Sequence, residues 1–236
     1  MDNTFTYKGI NSSKFGILLE YMPTRATAAR QVQYISIPGR DGHLIYDDPN
    51  ESLAPISIIP ECSIEDVSEE NLREIKRWLS GSGELIFSDE PNVYWKARLD
   101  TQIDYSIPLK LMHQFALVFD CFPYAFTKRG DKPLVFNPTT TLWQTIMMNE
   151  YSRSLPHIKI FAQGDVGLNI NGVENNFYSI NNYIECDSEL QQCYKGNMNL
   201  GMNMSGEFPV LVEGKNVIQF TGKIEQVIIT PHWRLR

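Results

Sequence analysis

The side chains best placed for acid–base chemistry are Glu185, Asp187 and Glu189. At every second position they would share one face of a strand. Two carboxylates held at a fixed separation across a sugar are what glycoside hydrolysis requires. The stretch Asp187-Ser188-Glu189-Leu190, however, has the composition of a hairpin tip, where acids are simply solvated. A serine nucleophile finds no support: there is no G-x-S-x-G, and Gly81-Ser82-Gly83 lacks the spacing of an exposed elbow. His43, His113, His157 and His232 are scattered, without H-E-x-x-H or His-x-His spacing, and read as surface or packing residues. No glycine-rich phosphate cradle is present. Cys62, Cys121, Cys186 and Cys193 contain no C-x-x-C pair. If Glu189-Leu190 forms a turn, Cys186 faces Cys193 with Cβ atoms roughly 4.5–5.5 Å apart. That exceeds the roughly 3.8 Å preferred by a disulfide, so these read as two buried or half-buried thiols. Trp143, Phe177, Tyr178, Tyr183, Tyr194 and Trp233 have two uses, stacking on apolar sugar faces or filling a core. The residues thus carry no catalytic signature, and no cofactor or metal site is expected.

Such residues need elements to position them. The chain has 236 residues, enough for one to two domains and for a core without disulfide staples. Isoleucine outnumbers alanine 23 to 8, which favours strands over helices. The formal charge of −7 argues against a protein that grips phosphate backbones. Residues 1–132 hold 14 basic and 19 acidic side chains and residues 133–236 hold 7 and 9, so no basic arm hides in the average. The N-terminus lacks the basic and apolar regions of a secretory signal, and no run of about 18 apolar residues suggests a membrane span. Free thiols in a reducing compartment are the corresponding expectation.

The clearest local signal is a hairpin. Val32-Gln33-Tyr34-Ile35-Ser36-Ile37 alternates as a half-buried strand should, Pro38-Gly39-Arg40-Asp41-Gly42 supplies turn chemistry, and His43-Leu44-Ile45-Tyr46 returns. Asp47-Asp48-Pro49-Asn50 breaks the return strand. A helix is expected over Glu69–Ser80, capped by Ser68, with Leu72, Ile75, Trp78 and Leu79 on its apolar side and Gly81 ending its last turn. A single strand is expected over His113–Phe119. The charged, turn-rich Lys128-Arg129-Gly130-Asp131-Lys132-Pro133 suits a linker, dividing the chain into residues 1–132 and 133–236. The second half reads as many short strands separated by Gly, Asn and Asp clusters, the pattern of a β-sandwich. The strand Val227–Thr230 has two possible destinations, the second sandwich or the first domain.

The order of motifs carries further meaning. Ser13-Lys14-Phe15-Gly16-Ile17 is followed by Ile37-Pro38-Gly39-Arg40-Asp41-Gly42, the helix end Trp78-Leu79-Ser80-Gly81, then Leu85-Ile86-Phe87-Ser88-Asp89-Glu90-Pro91 and Phe119-Asp120-Cys121-Phe122-Pro123. Later come Gly164-Asp165-Val166, Ile170-Asn171-Gly172, Tyr194-Lys195-Gly196, Gly206-Glu207-Phe208-Pro209 and the terminal Pro231-His232-Trp233-Arg234. Together these resemble the distal tail (Dit) protein family of long, non-contractile tailed phages, over nearly the whole chain and in order.

The resemblance implies a mainly β fold. An N-terminal domain of sandwich- or barrel-like sheets, with one α-helix and a long belt hairpin, would precede a C-terminal galectin-like or carbohydrate-module-like β-sandwich. It implies a structural protein of the virion tail and not an enzyme. The first domain would form a ring of six copies, which can stack back to back in isolation, around a channel for DNA in transit. The implied partners are the chain itself, the tail tube protein, the tail-associated lysin or fibre protein and a receptor-binding protein, with no membrane. Ile35, Ile37, Pro38, Gly39, Arg40, Asp41 and Gly42 would belong to the arm between subunits, Ile35 and Ile37 buried against a neighbour and Arg40 in polar contacts. An ordinary hairpin within one domain is the other reading of those residues. Phe208 would plug the sandwich core and Pro209 would end a strand. Glycan binding by the C-terminal domain is the alternative function.

Overall fold

Among the described residues, α-helix is confined to Glu69–Leu79, and almost everything else with regular structure is antiparallel strand. The computed structural model describes residues 3–47, 52–99 and 113–236. The Asp48-Pro49-Asn50 break lies outside them. Two units form, Met1–Ala125 with Arg236, and Phe126–Leu235.

In the first unit the helix begins as its sequence requires. The Ser68 hydroxyl accepts the N–H of Asn71, Glu69 and Glu70 sit at the positive end of the dipole, and Gly81 takes a positive φ of 80° just past the end. Leu72, Ile75, Trp78 and Leu79 are buried. Trp78 is the centre of the packing. Its ring stacks on Phe5 at 5.6 Å and Phe15 at 4.7 Å, and its Nε1–H donates to the Tyr7 carbonyl at 2.8 Å. The helix is thereby clamped onto the sheet that runs in the order Ile10–Asn11, Phe5–Tyr7, Gly81–Phe87, Val93–Leu99 and Phe119–Thr127. A separate sheet runs in the order Gln114–Ala116, Glu61–Ile64, Ile17–Leu19.

The single strand expected over His113–Phe119 is two. Gln114–Ala116 pairs with Glu61–Ser63, and Phe119–Thr127 joins the other sheet, where Phe119 stands opposite Ile58. The Leu117 N–H donates to the Pro60 carbonyl between them, so the chain changes sheets without leaving that donor unpaired.

In the second unit the short strands expected around Ile158 and Gly167 merge into one, His157–Ile170, paired along its length with Val173–Asp187. Asn171 and Gly172 join them, both at positive φ, the two-residue turn that matches strand twist. A bulge between Gly164 and Val166 bends the long strand. One half pairs with Ile224–Thr230 and the other with Gly214–Thr221, which in turn pairs with Leu142–Asn149. Val227–Thr230 therefore closes the second unit, between Leu134–Phe136 and His157–Ile170. Inward side chains from both halves, among them Ile158, Ile160, Leu168, Phe177, Ile218, Phe220 and Val227, form one buried cluster.

Residues 128–132 do not behave as a free linker. Thr127 N–H donates to the Trp233 carbonyl, His232 N–H to the Gly130 carbonyl, and His232 Nδ1 lies 3.0 Å from Asp131 Oδ1. A Cβ on Gly130 would meet the Trp233 backbone at 2.2 Å, so glycine is required by close approach. Removing the Trp78 side chain as Trp78→Ala should cost roughly 3–5 kcal/mol in urea unfolding. A loss below about 1 kcal/mol would contradict its central place.

Candidate functional site

Gly39 and Gly42 decide the shape of the hairpin tip. The Arg40 N–H donates to the Ile37 carbonyl at 3.2 Å, closing a turn with Pro38 at its second position and Gly39 (φ 81°) at its third, the residue pattern of a type II turn. Asp41 keeps an ordinary φ, and Gly42 (φ 78°) redirects the chain into the return strand. Below the tip, Val32–Ser36 pairs with His43–Asp47 in the register Ser36–His43, Ile35–Leu44, Tyr34–Ile45, Gln33–Tyr46, Val32–Asp47.

The hairpin forms a two-stranded sheet of its own. The half-buried strand expected from its alternation is not what the chain forms, because both faces are exposed. Tyr34 and Ile45 share one face and are 66% and 61% exposed; Ile35, Ile37, Leu44 and Tyr46 share the other at 43%, 39%, 42% and 54%. Pro38, Gly39, Arg40, Asp41 and Gly42 are exposed as well.

The root of this arm is fixed by specific bonds. Ala54 N–H donates to the Ala29 carbonyl and Gln31 N–H to the Ser52 carbonyl, both at 2.8 Å, with a bridge between Arg30 and Leu53. Upstream, Arg25 donates from its two terminal nitrogens to Glu90 at 2.8 Å and Asp89 at 2.6 Å. Its guanidinium lies 4.9 Å from the Phe87 ring centre and 5.2 Å from that of Trp95. Sequence reasoning missed Arg25, since nothing local marks an arginine that pairs with acids more than 60 residues away.

The other candidates separate. Glu185 pairs with His157 Nε2 and Lys159 Nζ, each at 3.2 Å, whereas Asp187 accepts the N–H groups of Glu189 and Leu190 in its own turn. Those two acids have different local tasks and do not flank a shared cleft. His43 lies on the arm, with its ring against Tyr34, while His113 Nδ1 lies 3.0 Å from the Ile64 carbonyl and His157 lies beside Tyr194. Of the six aromatics, Phe177 and Trp233 are buried, Trp143 packs between Phe136 and Phe220, and Lys159 sits 4.1 Å over the Tyr183 ring. Tyr178 alone of the six is exposed. Tyr178 and Tyr183 both line a groove of about 360 Å³ with Asn181, Lys195 and Asn203, but the six aromatics do not form one stacking face. Phe208 packs against the core, and Gly206 (φ 104°) is required because a Cβ there would strike the Glu174 carbonyl oxygen at 2.4 Å.

Cys186 stands opposite Cys193 in the paired strands, and both thiols are free and buried beside Met204 Sδ. Hydrogen bonding to Cys193, with burial, pushes the Cys186 thiol up. Burial also pushes Cys62 and Cys121 up to about 12. A folded pKa above the unfolded one means that stability is fully present below the ordinary thiol range of about 8.5 and is lost as pH rises toward 12. In the native protein at pH 8 we expect Cys62 and Cys121 to resist a thiol reagent that labels them in urea. The urea midpoint should fall between pH 8 and 10.5, less steeply in Cys62→Ala/Cys121→Ala. Native labelling of either residue would contradict this.

Residues 3–121 match the family model described as a phage tail protein RIFT-related domain. Among solved structures the chain is similar to the Dit protein of SPP1, described as a paradigm of the hub adsorption apparatus in phages infecting Gram-positive bacteria. The TM-score is 0.69 at 17% identity, over 100% of this chain and 99% of that one. No curated protein sequence matches significantly. At that identity the structural likeness carries the fold, not the role of any residue.

Proposed function

This chain belongs to the family of phage tail proteins with a RIFT-related domain, and from that premise we propose that it is the distal tail hub, a ring of six copies at the end of the tail tube. The observation that carries the reading is the arm. Two strands cannot hide side chains from water, yet this pair carries five large apolar ones on its two faces, with Ile37 as a sixth at the start of the turn. Together they present on the order of 600 Å² of surface, the scale of the roughly 800 Å² per partner in a stable interface. Nothing among the described residues of the monomer covers these side chains, and a neighbouring copy would. The rigid turn at Pro38-Gly39 and the bonded root at Ala29–Gln31 suit an element that must point in one direction. Ile35 and Ile37 are then interface residues, and Arg40 makes the polar contact at the tip.

The division of labour follows the two units. The first, which carries the arm and matches the family model, forms the ring wall, and the second, the β-sandwich, serves as a docking platform. Its partners are the tail tube protein on one side, the tail-associated lysin or fibre protein on the other, and a receptor-binding protein. DNA passes through the channel and is not held. The acidic excess is concentrated in residues 1–132, so the wall repels phosphate and lets the genome slide.

Native mass measurement and light scattering test the ring. The wild-type chain should form closed multiples at high concentration, and Ile35→Asp/Ile37→Asp should shift it to monomer while keeping its circular dichroism. Unchanged assembly in that variant removes the arm from the interface, and a persistent wild-type monomer removes the ring. The potential along the channel of an assembled ring should be negative. A positive channel would contradict the sliding role.

A further inference from the structure

Arg25 shows how this chain holds a guanidinium. Two carboxylates, Asp89 and Glu90, take its hydrogen bonds, and two aromatic rings, Phe87 and Trp95, lie against it. The acids supply charge and directed acceptors, while the rings supply dispersion and cation–π attraction to a weakly hydrated, planar cation.

Part of this set recurs around an open groove of about 430 Å³ on the three-stranded sheet of the first unit, where Glu20, Tyr21, Glu61, Gln114 and Ala116 form the lining together with the strands that carry Cys62 and Phe115. Strand register creates it. Leu19 and Phe115 both stand opposite Cys62, and one step along the Glu20 N–H donates to the Glu61 carbonyl at 3.0 Å. Glu20 and Glu61 are therefore cross-strand neighbours, both exposed on the outward face. Like charges directly opposite one another are unfavourable in a sheet unless a cation stands between them. Among the described residues no basic side chain pairs with either acid. The neighbouring Glu61 carboxylate, as acceptor and as charge, raises the pKa of Tyr21. The groove thus has two acids and a ring, as the Arg25 site does, and no guanidinium among the described residues.

Arg40 has the complementary character. It is exposed at the apex of the Ile37–Arg40 turn, at the end of an arm whose five-residue strands carry it about 17 Å from the root. We propose that the Glu20–Glu61 groove of one copy receives Arg40 from the arm of a second copy, with the Tyr21 ring beside the guanidinium as Phe87 and Trp95 lie beside Arg25. This rests on the ring reading above and gives the arm its receiving surface. The apolar faces of the arm supply contact area, and the tip pair sets which surface of the neighbour they meet, since charge complementarity fixes register more than it adds affinity.

A charge swap tests it, read by sedimentation at a concentration where the wild-type chain is assembled. Arg40→Glu should lower the assembled fraction at least tenfold, and Glu20→Lys/Glu61→Lys should do the same. Combining all three substitutions should restore assembly. Arg40→Lys should recover only part of it, because an ammonium cannot bond both acids as a fork. In a second arm, Arg40→Cys with Glu61→Cys should give a ladder of cross-linked copies on mild oxidation. If Arg40→Glu assembles like the wild type, if the triple variant fails to recover, or if an assembled sample gives no cross-link, the groove is not the receiver although the ring stands. A wild-type chain that stays monomeric at its highest soluble concentration overturns the ring and this proposal together.

Discussion

Two paired strands have no third layer between them in which to place a side chain, so the Val32–Ser36 and His43–Asp47 hairpin carries Tyr34, Ile35, Leu44, Ile45 and Tyr46 in water for as long as it stands alone. The rest of the first unit is arranged around that condition. The arm gains little from its own chain and must be aimed by its root, where short backbone bonds join residues 29–31 to 52–54. Arg25 pins the chain that leads to the root, using acids and rings of the neighbouring strands. Those strands are positioned in turn by the packing around Trp78, which joins the helix to the sheet through two stacked rings and one hydrogen bond.

The second unit solves a different problem. Its long hairpin, bent at Gly164–Val166, supplies inward side chains to one closed core, and several of its outer polar groups pair with one another. Glu185 is held by His157 and Lys159, Asp187 by its own turn, and Tyr183 lies under Lys159. Groups occupied in this way stabilise the face on which they lie. The C-terminal Pro231-His232-Trp233-Arg234 is part of the same closure, since Trp233 and His232 bond back to residues 127–131 and make that stretch a packed corner.

Much of the fold was legible because it is set by short-range chemistry. Ser68, Gly81 and the spacing of Leu72, Ile75 and Trp78 define the helix within a few residues. Pro38 and Gly39 define the tip, and the pairing of Cys186 with Cys193 follows from the length of their turn. Local pattern loses its hold where partners are distant. The sheet change at Leu117 depends on Pro60, and the merging of two strands into His157–Ile170 depends on a partner strand that bridges the bulge. The alternation in Val32–Ile37 reads identically whether the buried face meets its own chain or another.

The sequence alone determined the β-rich composition, the acidic balance, the local turns and caps and the order of motifs, because these depend on residue type and near neighbours. Only the tertiary structure decided that Arg25 meets Asp89 and Glu90, that Glu20 stands beside Glu61, and that the apolar arm finds no cover among the described residues of its own chain. Each of these is a relation between residues separated by tens of positions, fixed by strand register and by which surfaces the folded chain leaves uncovered. No local pattern encodes either.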